Sequence, residues 1–176
     1  LPDPLPLGPP DDTSRPDLLA VDPASGQLYV AAGGTLFASA DQTSWEPLEK
    51  PPGAGSPARM VIDPNDPQVL YLPGADHGLL KSTDGGRSWR SINQGIDSLS
   101  IALLATHPQD PATLYAAPPT GSTLFKSGDY GDHWTRVENG AAGPAANHRT
   151  AALLLHPQQP QRLYQVLDGA RAFESD

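Results

Sequence analysis

Hydrophobic positions in this chain of 176 residues fall into short runs separated by turns rich in proline and glycine. Four of the runs are almost wholly apolar: Leu18–Val21, Met60–Ile62, Ile101–Leu104 and Ala152–Leu155. A continuous apolar run bounded by turn residues is typical of a strand buried on both faces. Each run is followed by a Leu-Tyr pair and then by a further apolar pair, and no window keeps helical spacing for more than two turns. The pattern therefore predicts short strands and no helix.

The Leu-Tyr pairs recur at a nearly constant interval. Their tyrosines, Tyr29, Tyr71, Tyr115 and Tyr164, are 42, 44 and 49 residues apart. A fixed period of this size indicates repeated supersecondary units, and four short strands per unit are typical of β-propeller blades. We predict an all-β fold, a β-propeller of four-stranded antiparallel blades with three full blades and an incomplete fourth, which makes it a partial or shared propeller.

The same interval sets the domain organisation that we expect. Residues 1–16 contain six prolines and are predicted to form an extended N-terminal linker. The blades should span about 17–58, 59–100, 101–150 and, incompletely, 151–176.

A short motif accompanies the repeat. Ser82–Trp89 and Ser127–Trp134 both read Ser-x-Asp-x-Gly-x-x-Trp, and Ser39–Trp45 is a degenerate copy without the glycine and one residue shorter. The aspartate can accept bonds from N–H groups of its own turn, the glycine suits a positive φ, and the tryptophan supplies apolar area and one N–H donor. We therefore predict structural roles for Ser39, Asp41, Trp45, Ser82, Asp84, Gly86, Trp89, Ser127, Asp129, Gly131 and Trp134.

A cation held by Asp84, Asp129 and Asp132 is the alternative interpretation of the motif. It would need convergent oxygen ligands, which these turns do not obviously supply. We predict no metal site and no cofactor, since the sequence also lacks a phosphate-binding glycine motif, metal-ligand histidine spacing and a Ser-His-Asp arrangement.

The motif resembles the Asp-box, or bacterial neuraminidase repeat (BNR), of sialidases, xyloglucanases, sortilin-type receptors and photosystem-assembly propellers. The resemblance covers roughly residues 17–176. It implies a β-propeller with the motif between the third and fourth strands of each blade. Because proteins with this repeat are mostly exported, it also implies an extracytoplasmic location. Sialidases carry these boxes far from their active sites, so the motif does not itself imply sialidase activity.

Propellers have about four to eight blades, so the incomplete fourth blade leaves three alternatives. The chain could be part of a longer propeller, or a ring completed by another chain. It could also be a four-bladed ring whose last blade borrows a strand from Asp3–Leu7. Prolines at positions 2, 4, 6, 9 and 10 disfavour that strand, and the end of the chain within a motif favours the other two alternatives.

Charge excludes one class of partner. The net charge is −9, and residues 1–50 hold eight acidic residues against two basic ones. Nucleic-acid binding requires a clustered basic face, and none is visible. No apolar stretch approaches the roughly 18 residues needed to span a membrane, and the absence of cysteine excludes disulfides.

A ligand site is expected where the loops between second and third strands meet the loops between blades. The ionisable residues of this loop face are the candidate ligand-binding residues, with solvated loops as the alternative: Arg59, Asp76, His77, Asp97, His148, Arg149 and Asp168. Glycoside hydrolysis needs two carboxyl groups about 5 to 9.5 Å apart, and Asp76 with Asp97 is the most plausible pair. The sequence does not fix their separation, and no catalytic residue is assigned.

The sequence favours a non-catalytic exported scaffold or binding module that meets a protein or a glycan. The alternative is one part of a larger Asp-box glycoside hydrolase, whose propeller another chain or segment would complete. A sialidase is disfavoured, because only Arg59 and Arg149 lie on the loop face and the Phe/Tyr-Arg-Ile-Pro motif is absent. The resemblance therefore favours a xyloglucanase-like enzyme, although such enzymes have two seven-bladed propellers and are larger than this chain. An assembly factor like the photosystem propellers would need an arginine-rich face.

Overall fold

A computed structural model describes residues 16–49, 51–53, 59–74, 76–121, 123–137, 149–156, 159, 162–168 and 171–175. The predicted linker, the proposed strand over Asp3–Leu7 and His148 lie outside the described residues, apart from the linker's last residue. In the part of the chain that is described, no helix has the length and apolar character needed to cross a membrane.

Fifteen strands form four antiparallel sheets within the described residues. The first sheet has the order β1 (Leu18–Val21), β2 (Leu28–Ala32), β3 (Thr35–Ser39) and β4 (Glu46–Pro47). The second has β5 (Val61–Ile62), β6 (Leu70–Gly74), β7 (Gly78–Ser82) and β8 (Arg90–Ser91). The third has β9 (Leu103–Thr106), β10 (Leu114–Ala117), β11 (Leu124–Ser127) and β12 (Thr135–Val137). The fourth has three strands, β13 (Thr150–Leu155), β14 (Leu163–Leu167) and β15 (Arg171–Ser175).

Every sheet is a simple meander in which consecutive strands pair. This is the arrangement predicted for three complete blades and an incomplete fourth, and the predicted fold class is confirmed. The β2–β3 hairpin shows how the register is set. Gly33 and Gly34 both have positive φ, 57° and 80°, as a two-residue turn requires, and Ala32 then pairs with Thr35 and Tyr29 with Ala38.

Contacts group the chain into two compact units. The first comprises Leu1–Leu72 with Lys81–Arg90, and the second comprises Pro73–Leu80 with Ser91–Asp176. In the second unit, a cluster of buried side chains joins the third and fourth sheets: Leu103, Tyr115, Ala117, Leu124, Leu153 and Leu163.

The prediction that the first strand of each repeat is buried on both faces is wrong. In β1 and β13, Leu19 and Leu154 are 53% and 56% exposed, whereas all residues of β2, β7 and β10 are buried. The reason is position in the sheet. A first strand pairs only with the second, whereas the second and third strands have a hydrogen-bonded neighbour on each side.

The turns between first and second strands explain the two histidines of the repeat. Asp22 and Asp63 accept N–H groups two and three residues ahead, and His107 does the same through Nδ1. His156 Nδ1 likewise accepts the N–H of Gln159 at 3.0 Å. These histidines therefore take the place of the aspartate as turn residues.

Candidate functional site

The Ser-x-Asp turns lie at one end of each sheet, between the third and fourth strands, and their polar groups bond to one another. Ser82 Oγ donates to Asp84 at 2.8 Å and accepts the N–H of Gly86 at 2.8 Å. Asp84 in turn accepts the N–H of Ser88 at 2.8 Å and its hydroxyl at 2.6 Å. These bonds, those from Ser88 foremost, lower the pKa of Asp84 to about 2. The carboxylate is therefore used within its own turn.

The other two turns repeat this arrangement. Asp129 accepts the N–H of His133 at 2.9 Å, and bonding by His133 lowers the pKa of Asp129 to about 2. The degenerate turn over Ser39–Trp45 is also held by its aspartate. Asp41 accepts hydrogen bonds from the N–H groups of Thr43 and Ser44 at 2.8 and 2.7 Å. Nowhere among the described residues do three or more His, Asp or Glu side chains gather as a metal would need.

The tryptophans of the two complete motifs bind carbonyl groups. The Trp134 indole N–H donates to the carbonyl oxygens of Gly131 and Ile92, at 2.9 and 2.8 Å, and the ring is buried. The Trp89 indole N–H donates to Gly86 at 3.1 Å. Gly86 and Gly131 have φ of 89° and 88°, a conformation that glycine adopts without steric cost. The fourth strands begin one residue after each tryptophan rather than at it.

At the opposite end of the second sheet, Asp76 and His77 lie in the β6–β7 loop and Asp97 lies in the loop that follows β8. Hydrogen bonds join the two loops, and in one of them the N–H of Gly78 donates to the carbonyl of Leu99 at 2.7 Å. Asp76 precedes Gly78 by two residues, and Asp97 precedes Leu99 by two residues. Both aspartates are exposed. We call these two loops the loop corner; it lies in the second unit.

Burial sets the charge of the histidine at the loop corner. His77 is partly buried, which lowers its pKa below the usual value of 6.5, and the nearby Asp76 carboxylate opposes the shift. The lowered pKa favours the neutral imidazole, which stands beside the side chains of two aspartates at the loop corner. Groups of this kind can hydrogen-bond hydroxyls and transfer protons.

The loop corner is held by a residue that the sequence did not single out. Asn93 Oδ1 accepts the N–H of Leu79 at 2.7 Å, and Asn93 Nδ2 donates to the His77 carbonyl and to Ser91 Oγ, both at 2.8 Å. The side chain thereby fixes the β6–β7 loop against the segment that leads to Asp97. Its only sequence signal is a polar residue shortly after the fourth strand, which is too common to be informative.

Two other predicted residues meet at the end of the fourth sheet. The N–H of Arg149 donates to Asp168 Oδ1 at 2.8 Å, and the N–H of Asp168 donates to the Arg149 carbonyl at 2.9 Å. Both side chains are exposed. Arg59 is also exposed, just before β5, and belongs to the first unit. The structure thus joins the loop of Asp76 and His77 to the loop of Asp97, and separately pairs Arg149 with Asp168.

The first unit also contains a cavity that was not predicted from the sequence. Its volume is about 470 Å³, and it lies beside the Ser-x-Asp turns, with Tyr29, Ala38, Trp45, Glu46 and Arg87 in its wall. The sequence signal was an alanine at position 38, where the next two repeats have Lys81 and Lys126.

Comparison with known proteins identifies similar sequences but no matching family model. A xyloglucanase of Paenibacillus sp is 25% identical over 180 residues, covering 75% of this chain and 17% of that protein. The xyloglucanase Xgh74A of Acetivibrio thermocellus is 33% identical over 94 residues, covering 42% of this chain and 11% of the relative. The chain therefore spans less than a fifth of the length of these relatives.

Solved structures show the same fold. A GH74 enzyme of Niastella koreensis superposes with a TM-score of 0.69 at 22% identity. The match covers 86% of this chain and 26% of the enzyme's chain. An ancestral GH74 enzyme gives a TM-score of 0.75 at 17% identity, and the match covers 98% of this chain and 24% of the enzyme's chain. YCF48 bound to D1 peptide gives a TM-score of 0.68 at 17% identity, and the match covers 92% of this chain and 51% of the YCF48 chain. At these identities the likeness establishes the β-propeller fold alone.

Proposed function

We propose that this chain is part of the propeller of a glycoside hydrolase that acts on xyloglucan-type polysaccharides. The observation that carries the proposal is the similarity to xyloglucanases, which extends over three quarters of the chain at 25% identity. This favours the enzyme alternative over the non-catalytic scaffold that the sequence alone suggested. Further blades, in a segment or chain beyond these 176 residues, would complete the ring.

The loop corner is the part of the chain to which we assign substrate contact. Asp76 and Asp97 are exposed residues on two loops that are joined by hydrogen bonds, and His77 supplies a partly buried imidazole. Carboxylates at this position can orient sugar hydroxyls, and a pair at suitable distance can act as acid and base. Arg59, His148, Arg149 and Asp168 remain proposed ligand-binding residues. The Ser-x-Asp turns, at the other end of the sheets, are assigned a structural role and resemble Asp-boxes.

Two further assignments accompany the proposal. The blade boundaries are taken as about 17–58, 59–100, 101–150 and 151–176, following the linker over residues 1–16. The location is taken as extracytoplasmic, because a polysaccharide substrate is met outside the cytoplasm.

The first experiment uses the complete propeller, in which this chain is joined by the segment or chain that supplies the further blades. It measures release of reducing ends from xyloglucan, with an unbranched β-1,4-glucan as the comparison substrate. We expect hydrolysis of the branched polymer. Asp76→Asn and Asp97→Asn should each lower the rate, by about 10²- to 10⁴-fold where the carboxyl group transfers a proton. The matched control is Asp110→Asn, at an exposed turn near the other end of the third sheet, and its rate should be unchanged.

Two results would contradict the proposal at different levels. Absence of hydrolysis by the wild-type protein would remove the enzymatic function. Hydrolysis that persists at the wild-type rate in both loop-corner variants would leave the activity in place but remove the loop corner from the active site.

A second candidate is a non-catalytic propeller that binds a protein or a glycan. It is favoured by the likeness to YCF48, whose structure is described as bound to D1 peptide and which covers 92% of this chain. Calorimetric titration with xyloglucan oligosaccharides separates the two candidates. Binding without hydrolysis would support the binding module, whereas turnover would support the enzyme.

A further inference from the structure

The second and third blades each place a lysine over the tyrosine of the second strand. In the third sheet Tyr115 and Lys126 are register partners, and Lys126 Nζ lies 5.6 Å from the centre of the Tyr115 ring. In the second sheet Lys81 Nζ lies 5.5 Å from the centre of the Tyr71 ring, and Lys81 is only 7% exposed. An ammonium group at such a distance is attracted to the face of the ring.

The first blade keeps the tyrosine and lacks the lysine. Tyr29 has Ala38 as its register partner, at the position equivalent to Lys81 and Lys126. Both residues line the cavity of about 470 Å³, which belongs wholly to the first unit. A volume of this size is within the range of small-ligand sites, roughly 300–1,000 Å³. The missing lysine side chain therefore coincides with an open space beside an aromatic ring.

The wall of the cavity is suited to a cation with an apolar stem. Trp45 and Leu48 provide apolar surface, and Asp41 and Glu46 provide two carboxylates. One cation, Arg87, also lines the cavity. The charges of these three ionisable groups sum to −1, and residues 1–50 as a whole carry eight acidic against two basic residues.

Arg87 is held at its place in the wall by two partners. Its Nη2 lies 3.1 Å from Glu46 Oε2, and its Nη1 donates to the Asp84 carbonyl at 3.2 Å. Both side chains of the Arg87–Glu46 pair are 58% exposed, and an exposed pair of this kind contributes little to stability. Glu46 can therefore reorient toward a second cation at low cost.

We propose that this cavity binds an alkylammonium group, with its nitrogen over the Tyr29 ring as the lysine nitrogens lie over Tyr71 and Tyr115. The methylene stem packs against Trp45, and Glu46 neutralises the charge. The ligand is a lysine side chain of a partner protein or a free primary amine. This site is independent of the hydrolase function proposed above, because it lies at the end of the sheets that carries the Ser-x-Asp turns.

The test uses NMR titration, with the indole N–H signal of Trp45 as the probe of the cavity. The ligands are N-acetyl-lysine methylamide, its uncharged norleucine counterpart and butylammonium. We expect a saturable shift with the lysine derivative and at least tenfold weaker binding of the norleucine derivative. Tighter binding of the lysine derivative than of butylammonium indicates a protein partner, and the reverse order indicates a free amine; either order supports the site.

Ala38→Lys supplies the missing side chain from within and should weaken binding of the lysine derivative at least tenfold. Ala151→Lys, at an exposed position of β13, adds the same charge elsewhere and should change affinity less than twofold. Glu46→Gln, at an exposed position, should weaken binding several-fold even if Ala38→Lys fails to fold. Equal affinity for the norleucine derivative, or unaltered binding in both Ala38→Lys and Glu46→Gln, would overturn the proposal.

Discussion

Replacing Gly131 by alanine tests whether the Ser-x-Asp turn is a packed structural element. Gly131 has φ of 88°, and an added Cβ would lie 2.7 Å from Ile92 Cδ1 and 3.4 Å from Leu114 Cδ1. The left-handed conformation costs an alanine about 1–2 kcal/mol. The overlap adds about 1 kcal/mol, the low end for overpacking, because Ile92 Cδ1 is the end of a flexible side chain. We expect Gly131→Ala to lower the free energy of unfolding by about 2–3 kcal/mol.

The measurement is urea denaturation at pH 7, followed by far-UV circular dichroism. Gly128→Ala is the matched control within the same motif, because Gly128 lacks a positive φ and its added Cβ meets no atom within 4 Å. Ile92→Val removes the overlapping Cδ1 atom. In that background Gly131→Ala should therefore cost about 1 kcal/mol less than in the wild type, once the cost of Ile92→Val itself is subtracted.

Two outcomes would refute this reasoning. If Gly131→Ala and Gly128→Ala had equal stabilities, neither the φ nor the packing at Gly131 would matter. If the Ile92→Val background gave no rescue, the loss would come from the backbone conformation alone, and the packing argument would be wrong.

Three further predictions concern the same two ends of the sheets. Asp84 and Asp129 have folded pKa values of about 2 against an ordinary 3.8, so the stability from their turns is complete above pH 3.8 and is lost as the pH falls through 2. The melting temperature of Asp84→Asn should accordingly fall less between pH 5 and 2 than that of the wild type, and parallel curves would contradict this. Gln42 has φ of 64°, so Gln42→Gly should raise stability by up to about 1 kcal/mol in urea denaturation, whereas Gly85→Ala, at φ of 69°, should lower it by about 1–2 kcal/mol. Asn93→Leu leaves a buried backbone N–H without its acceptor and should cost about 1–3 kcal/mol; a loss below 0.5 kcal/mol in the same assay would show that the loop corner does not depend on Asn93.

The fold could be predicted because each repeat encodes its own turns. Asp22 and His107 hold equivalent turns through local bonds, and Gly33-Gly34 sets a hairpin register, so neighbouring residues suffice to locate the strands. Burial could not be predicted in the same way. The exposure of Leu19 follows from the edge position of β1 in its sheet, and an apolar run contains no information on that position.

The candidate sites were predictable only in part, for a related reason. Asp76 and Asp97 could be assigned to one face from the strand order, but the Gly78–Leu99 bond that links their loops joins residues 21 positions apart. The sequence signal of the cavity is an alanine opposite Tyr29, but its meaning depends on the lysines that lie over Tyr71 and Tyr115. A comparison of repeats at each register position would have found it.

The two ends of the sheets differ in how their polar groups are hydrogen-bonded, and our site proposals rest on this difference. At one end the Ser-x-Asp turns use their carboxylates internally, so a repeated motif yields a repeated structural element. At the other end Asp76 and Asp97 are exposed, on loops joined by a backbone bond, and their side chains remain available to a ligand. The same logic applies where the repeat breaks down at the structural end. Ala38 stands where the second and third blades have a lysine, and a cavity lies beside it. A departure from a repeated pattern without local compensation is typical of a functional position, which is why we propose one site at the variable loops and the other at Ala38.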